Sequence, residues 1–232
     1  MCGTMIELGN VRFRWGSDAP LVLDIQKLNV NVGERVFLEG PSGSGKTTLL
    51  NILGGVALPE VGIVQVNGTD LTRLKSRARD AFRADHIGII FQMFNLIPYL
   101  SPLENVKLAC RFSRRRHALA ASKSSNTEEE ALRLLMRMQL NEAAIMHSPA
   151  FELSIGQQQR VAAARSLIGS PELIIADEPT SALDHDVRRV FIKLLFDEIA
   201  DTGATLVFIS HDPSLADQFD RRIKLTDINK VH

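Results

Sequence analysis

The sequence predicts an α/β fold with a small antiparallel β portion near its start and a helical portion inserted further on. Three observations carry this: short apolar-polar alternations in the opening third, a strand that runs through a glycine-rich loop into a helix, and the disappearance of strand pattern over residues 93–148. The alternations occupy residues 5–13, 21–32 and 62–68, broken by Gly, Asp and Pro, as in an antiparallel sheet. Residues 35–39 read as a buried strand, and residues 47–53 as a helix stopped by Gly54 and Gly55. Helical periodicity marks residues 104–112 and 127–140, with Ala131, Leu134, Leu135 and Met138 on one face. Between them residues 111–126, rich in Arg, Ser and Lys, read as an exposed loop, either simply solvated or touching anionic lipid headgroups. After Phe151 a helix over 157–168, a strand over 173–176, a helix over 186–200 and a strand over 205–209 restore the α/β alternation.

Composition bounds the function. The chain has 232 residues, 45% hydrophobic and 23% charged, as in one globular domain with an insertion. With 27 Lys and Arg against 27 Asp and Glu the net charge is zero, so the long-range attraction of most nucleic-acid binders is missing and no nucleic-acid partner is expected. The 2 cysteines, Cys2 and Cys110, make neither a disulfide framework nor a zinc motif, which suits the cytosol. The first residues lack the pattern of a secretory signal, and no apolar run is long enough to span a bilayer.

The most specific motif is Gly40-Pro41-Ser42-Gly43-Ser44-Gly45-Lys46-Thr47, a G-x-x-x-x-G-K-[ST] loop between predicted strand and predicted helix. Glycines let such a loop turn its backbone N–H groups inward around phosphate oxygens, and the helix that begins here, through Thr48, aims its positive end at the same place. Lys46 would reach the β- and γ-phosphates of ATP, and the Thr47 hydroxyl would ligate Mg²⁺.

Leu173 to Ala176 is an apolar strand ending in Asp177 and Glu178, as in a buried parallel strand that opens into a ligand crevice. Asp177 would hold Mg²⁺, directly or through water, and Glu178 would orient or deprotonate the attacking water; the alternative is an acidic pair at a helix start before Pro179. Gln92 follows the predicted strand 87–91, and His211 follows the strand 205–209. In one parallel sheet all of these ends would lie at one edge, where Gln92, Asp177, Glu178 and His211 could converge on one phosphate; the other reading of a lone histidine at a strand end is a structural one.

Leu153-Ser154-Ile155-Gly156-Gln157-Gln158-Gln159-Arg160 opens a helix before the acidic strand and resembles the LSGGQ signature of ATP-binding-cassette (ABC) proteins. The phosphate loop, Gln92 in the Q-loop position (also a Mg²⁺ ligand), Asp177 and Glu178, Ser181 to Asp184 in the D-loop position and His211 in the switch-histidine position follow the family's order, over about residues 5–226. The resemblance implies a RecA-like P-loop NTPase core with an N-terminal antiparallel β subdomain and an α-helical subdomain inserted over about residues 93–156. It implies that Ser154, Gly156 and Gln157 form a second anion site, which with Asp184 faces the phosphate loop of a second copy, so that the chain dimerises on ATP and separates after hydrolysis. Two features depart from the pattern. Ile155 replaces the signature's first glycine, and the adenine-stacking tyrosine is replaced by Phe13, with Trp15 as second choice.

The stretches LLNILGG, HIGIIFQMFNLIPYLSPLENV and ADEPTSALD are similar to the lipoprotein-releasing, macrolide-efflux and cell-division branch of bacterial ABC ATPases. That similarity implies a peripheral subunit at the cytoplasmic face of the inner membrane, driving a separate transmembrane permease for export or extraction. The permease would dock on the segment from Met93 to Asn105, whose Phe94, Leu96, Ile97, Tyr99 and Leu100 are read either as an interface or as subdomain core. The other functional reading is a non-transport assembly such as cell-wall remodelling.

Overall fold

The structure is a computed structural model and describes residues 3–231, so Cys2 lies outside the described residues. In chain order these residues form β1 (Thr4–Phe13), β2 (Leu23–Asn31), β3 (Arg35–Glu39), α1 (Lys46–Leu53), β4 (Val61–Val66), β5 (Thr69–Asp70), α2 (Ser76–His86) and β6 (Ile87–Ile90). Then come α3 (Pro102–Phe112), α4 (Arg114–Lys123), α5 (Thr127–Arg137), α6 (Ala143–His147), α7 (Ile155–Leu167), β7 (Leu173–Asp177), α8 (His185–Thr202), β8 (Thr205–Ile209), β9 (Arg221–Lys224) and α9 (Leu225–Ile228). The chain divides into two compact units, one running to Arg83 and resuming at Thr205, the other Ala84–Ala204.

In the first unit, alternation becomes an antiparallel sheet of order β2-β1-β4-β5, with Phe13 opposite Leu23 and Ile6 opposite Val66. Beside it β3 pairs in parallel with β8 and with β9, which puts Leu38 across from Ile209 and from Ile223. Phe37, Phe208 and Phe219 close this core, with ring centroids 5.1 to 6.3 Å apart. Burying Phe37 and Phe208 completely contributes about 1.5–3 kcal/mol each. The strand β9 is half exposed along its length and has no apolar run to announce it; Arg35 anchors the residue before it, its backbone N and Nη2 donating to the Asp220 carboxylate at 2.8 and 2.7 Å. The helix α2 also escapes pattern reading because none of its residues is buried; Arg79 and Arg83 hold it by donating to the carbonyls of Gly55 and Gly54.

In the second unit β6 and β7 pair in parallel, and α7 lies against β6 where a Cβ on Gly88 would come within 2.3 Å of the Ser166 carbonyl oxygen. The start of α3 is set by a capping box, Ser101 with Glu104, and by Pro102 in the first turn. Gln139, at φ 57°, terminates α5 earlier than its apolar pattern suggests, although Met138 and Leu140 stay buried.

Residues 111–126 are not the exposed loop that their composition suggests. Ser113 caps α4 by accepting from the Arg116 backbone N, and Ala120 and Arg116 face inward. Arg116 donates to the carbonyl oxygens of Ile168 and Ser166 at 2.7 Å each, the acceptors left over where α7 ends. Burial pushes its pKa down to about 10, so the guanidinium is charged at neutral pH. A run of arginines reads as solvent-facing only if each side chain lacks an acceptor inside, and the orphan carbonyls of another helix supply one.

Candidate functional site

The phosphate loop lies between β3 and α1, as its motif requires. Its glycines have separate reasons: a Cβ at Gly40 would sit 2.6 Å from Ser44 Oγ, Gly43 has φ 81° with open space around it, and Gly45 has φ 99° with Leu23 Cδ2 only 2.8 Å from where a Cβ would stand. Lys46 is 7% exposed and donates to the carbonyl oxygens of Gly40 at 2.7 Å and Pro41 at 2.9 Å, which holds its ammonium at the mouth of the loop. Ser42, Gly43 and Thr47 are exposed, while Ser44 and Thr48 are buried. Ser44 Oγ is buried without a protein hydrogen-bond partner among the described residues, an orphan polar atom that suits a phosphate acceptor.

Asn229, which no sequence pattern marks, braces this loop. Its Nδ2 donates to the carbonyls of Val22 at 3.0 Å and Ser44 at 3.3 Å, and its Oδ1 accepts from Asp24 N at 2.8 Å. His211 is exposed just past β8 and shares with Gly40, Pro41 and Lys224 a cleft of about 390 Å³. Within this unit the structure therefore brings His211 and the phosphate loop together, at the C-terminal ends of parallel strands.

The two aromatics named for the adenine differ in exposure. Phe13 is 5% exposed and packed into the sheet, so neither face of its ring is offered to a base. Trp15 is 61% exposed and stands edge-on to Phe13, with centroids 4.9 Å apart at 88°. The second-choice aromatic is thus the one with a surface, and Phe13 buttresses it.

In the second unit, Asp177 ends β7 after four buried residues, and Glu178 follows at φ 47°. A non-glycine residue in the left-handed region costs about 1–3 kcal/mol, and such strain concentrates at functional positions. Gln92 is exposed beyond β6, whose last residue is Ile90; Phe91 has already left the strand. Within this unit Gln92 and Asp177 offer an amide and a carboxylate oxygen, and in the first unit Thr47 offers a hydroxyl; each taken by itself is a hard oxygen donor of the kind Mg²⁺ takes.

Ser154 caps α7. Its Oγ accepts from Gln157 N, and Gln157 Oε1 accepts from Ser154 N, so both residues are tied into a capping box at the helix start. Ile155 is the first helical residue, 53% exposed, and has no positive φ, so the missing glycine costs the loop nothing in conformation. Gly156 leaves room for Val187 Cγ1, which a Cβ would meet at 3.3 Å, and Arg160 Nε donates to the Gly156 carbonyl. Asp184 caps α8 by accepting from Val187 N at 2.9 Å, so the signature and the Ser181–Asp184 turn lie side by side. Burial lowers the pKa of Arg160.

The stretch from Met93 to Asn105 is exposed over only part of its length. Met93 and Tyr99 are 80% and 74% exposed, and Phe94, Leu96, Ile97 and Leu100 are half-buried, but Ser101, Leu103 and Asn105 are buried. Asn105 is a scaffold rather than a contact: its Oδ1 accepts from Ile97 N at 2.8 Å, and its Nδ2 donates to the carbonyls of Ile97, Leu100 and Ser101.

Comparison with known proteins places these features. Residues 23–181 match the ABC transporter family. The lipoprotein-releasing system ATP-binding protein LolD of Bacteroides fragilis is 39% identical over 98% of this chain and 100% of its own. The macrolide export ATP-binding/permease protein MacB of Burkholderia pseudomallei is also 39% identical over 98% of this chain, which spans 34% of that protein. Among solved structures, the dimeric post-hydrolysis state of the ATP-binding cassette MJ0796 bound to ADP and Pi superposes with a TM-score of 0.83 at 38% identity, covering 96% of this chain and 95% of that one. A phosphate loop built on β3, a capped signature helix and this family match agree: the chain belongs to the ABC transporter family, as one of its ATPase cassettes.

Proposed function

We propose that the chain is the ATP-hydrolysing subunit of a bacterial transporter, which pairs with a second copy on ATP and drives a separate membrane permease that exports or extracts its substrate. The observation that supports it most is the exposed apolar pair Met93 and Tyr99 on a loop otherwise pinned from inside, because a rigid apolar protrusion is what a partner's groove requires. The branch is supported by the likeness to LolD and MacB, a lipoprotein-releasing and a macrolide-export protein by name. No helix among the described residues is long and apolar enough to cross a membrane, so a membrane role is a peripheral one, which we place at the cytoplasmic face of the inner membrane.

In this reading Lys46 and the loop N–H groups hold the β- and γ-phosphates, and Trp15 stacks on adenine. Thr47, Gln92 and Asp177 would hold Mg²⁺, which supplies neutralising charge on the phosphate oxygens. Glu178 takes the proton of the attacking water, and His211 donates toward the γ-phosphate. Ser154, Gly156, Gln157 and Asp184 complete the site of the second copy.

The test is to recover N-terminally tagged Glu178→Gln protein with ATP from detergent-solubilised membranes and identify what accompanies it by mass spectrometry. A multi-span membrane protein with a large extracytoplasmic domain is the expected companion. A soluble homodimer alone moves the reading to a non-transport assembly.

A further inference from the structure

The turn that carries Gln92 away from β6 is held by the distal end of the signature helix. Phe94 and Asn95 have φ of 58° and 49°, two consecutive non-glycine residues in the left-handed region. Arg165 donates to both of their carbonyls, Nη2 to Phe94 and Nη1 to Asn95, each at 2.5 Å. This uses the planar fork of a guanidinium, with two donors for two acceptors, which a single ammonium cannot reproduce. Arg165 stands in the last turn of α7, ten residues and about 15 Å from Ile155 at its start. Burial lowers its pKa, so the bonds are made by a largely desolvated cation. Asn105 pins the same loop at Ile97 to Ser101, and Met93 and Tyr99 remain outside the two clamps.

We propose that Arg165 is a positioning residue that fixes the Gln92 turn to the signature helix, so that a push on the exposed loop moves Gln92 and α7 as one piece. The proposal rests on the reading that Gln92 serves the bound nucleotide and its metal, and adds what holds Gln92 in register. Neither carbonyl clamped by Arg165 belongs to Gln92, so the effect of Arg165 on the reaction must pass through the turn.

The test is a double-mutant cycle on the full chain. Arg165→Met and Arg165→Lys are each made alone and in a Gln92→Ala background, with ATPase rate, Mg²⁺ dependence, nucleotide affinity in EDTA and unfolding midpoint measured for all. Arg165→Met is expected to lower kcat by about 10- to 100-fold, the loss typical of a misplaced reacting group. It should also raise the Mg²⁺ concentration needed for half-maximal rate, while leaving metal-free nucleotide affinity within about threefold of the parent. Arg165→Lys should recover part of the rate, and neither variant should slow the Gln92→Ala protein further. Losses that multiply across the cycle, or a parental rate in Arg165→Met, overturn the proposal. A parental rate in Gln92→Ala alone refutes the Gln92 assignment and takes the proposal with it, an outcome legible in that single variant. Should Arg165→Met fail to fold, Arg165→Lys carries the same cycle.

Discussion

Arg116 Nε donates to the Ile168 carbonyl at 2.7 Å from a side chain that is 4% exposed, so a surface-looking arginine of α4 closes the C-terminal end of α7. Removing it leaves the carbonyls of Ile168 and Ser166 buried without donors. Arg116→Ala is expected to destabilise the protein by about 2–4 kcal/mol and to lower the unfolding midpoint by about 5–15 °C. A midpoint within about 2 °C of the parent would show that the carbonyls find other partners.

The two aromatics at the end of β1 should separate cleanly in binding measurements. Trp15→Ala is expected to weaken ATP binding by about 1–3 kcal/mol, the usual worth of base stacking. Phe13→Leu, a change inside the sheet, should alter affinity less than about threefold while lowering stability. Titration with a fluorescent nucleotide distinguishes the two; equal losses would mean that Phe13 acts on the base after all.

At the signature, Ile155→Gly should leave turnover within about fivefold, because Ile155 is already helical and glycine there costs only about 0.5–1 kcal/mol of helix stability. A loss beyond about tenfold in the ATPase assay would assign isoleucine an active role.

Glu178→Gln should lower ATP turnover by about 10²- to 10⁴-fold and accumulate as an ATP-bound dimer in light scattering. Lys46→Ala should bind no ATP. Undiminished hydrolysis by Glu178→Gln would remove Glu178 from the proton-transfer role.

Acid stability should depend on the pair of helices α5 and α8. Glu198 is 2% exposed and bonded to Arg133 at 2.6 Å and to Arg137 at 3.3 Å. Burial alone would raise its carboxyl pKa, but the hydrogen bond and charge of Arg133, with the hydrogen bond of Arg137, outweigh this and hold it below the ordinary value. A carboxyl lowered on folding contributes stability above its unfolded pKa of about 4.3, and that contribution is lost as pH falls through the folded value. The unfolding midpoint of the parent should therefore drop more steeply below about pH 4 than that of Glu198→Gln, which should already be less stable at pH 7. Parallel pH profiles would contradict this.

What could be read from the sequence was whatever repeats with a period or occupies a fixed spacing. The alternation of β1, the glycines before Lys46 and the acidic end of β7 were legible because each is local. The buried role of Arg116 was not, since its partners lie about fifty residues away in sequence and are backbone atoms that carry no residue identity. Which of Phe13 and Trp15 offers a ring surface was not legible either: Phe13 ends β1 facing inward, and Trp15 lies past the end of the strand, where alternation no longer sets a side chain's direction. Asn229 and Arg165 also act on backbone carbonyls, so their chemistry is visible only in three dimensions.

The hold of Asn229 on the Ser44 carbonyl makes the phosphate loop a long-range object, braced from 185 residues away in sequence. A peptide cut to the strand, loop and helix alone would carry every residue of the motif and still lack that hydrogen bond, so the cradle belongs to the folded unit rather than to the motif.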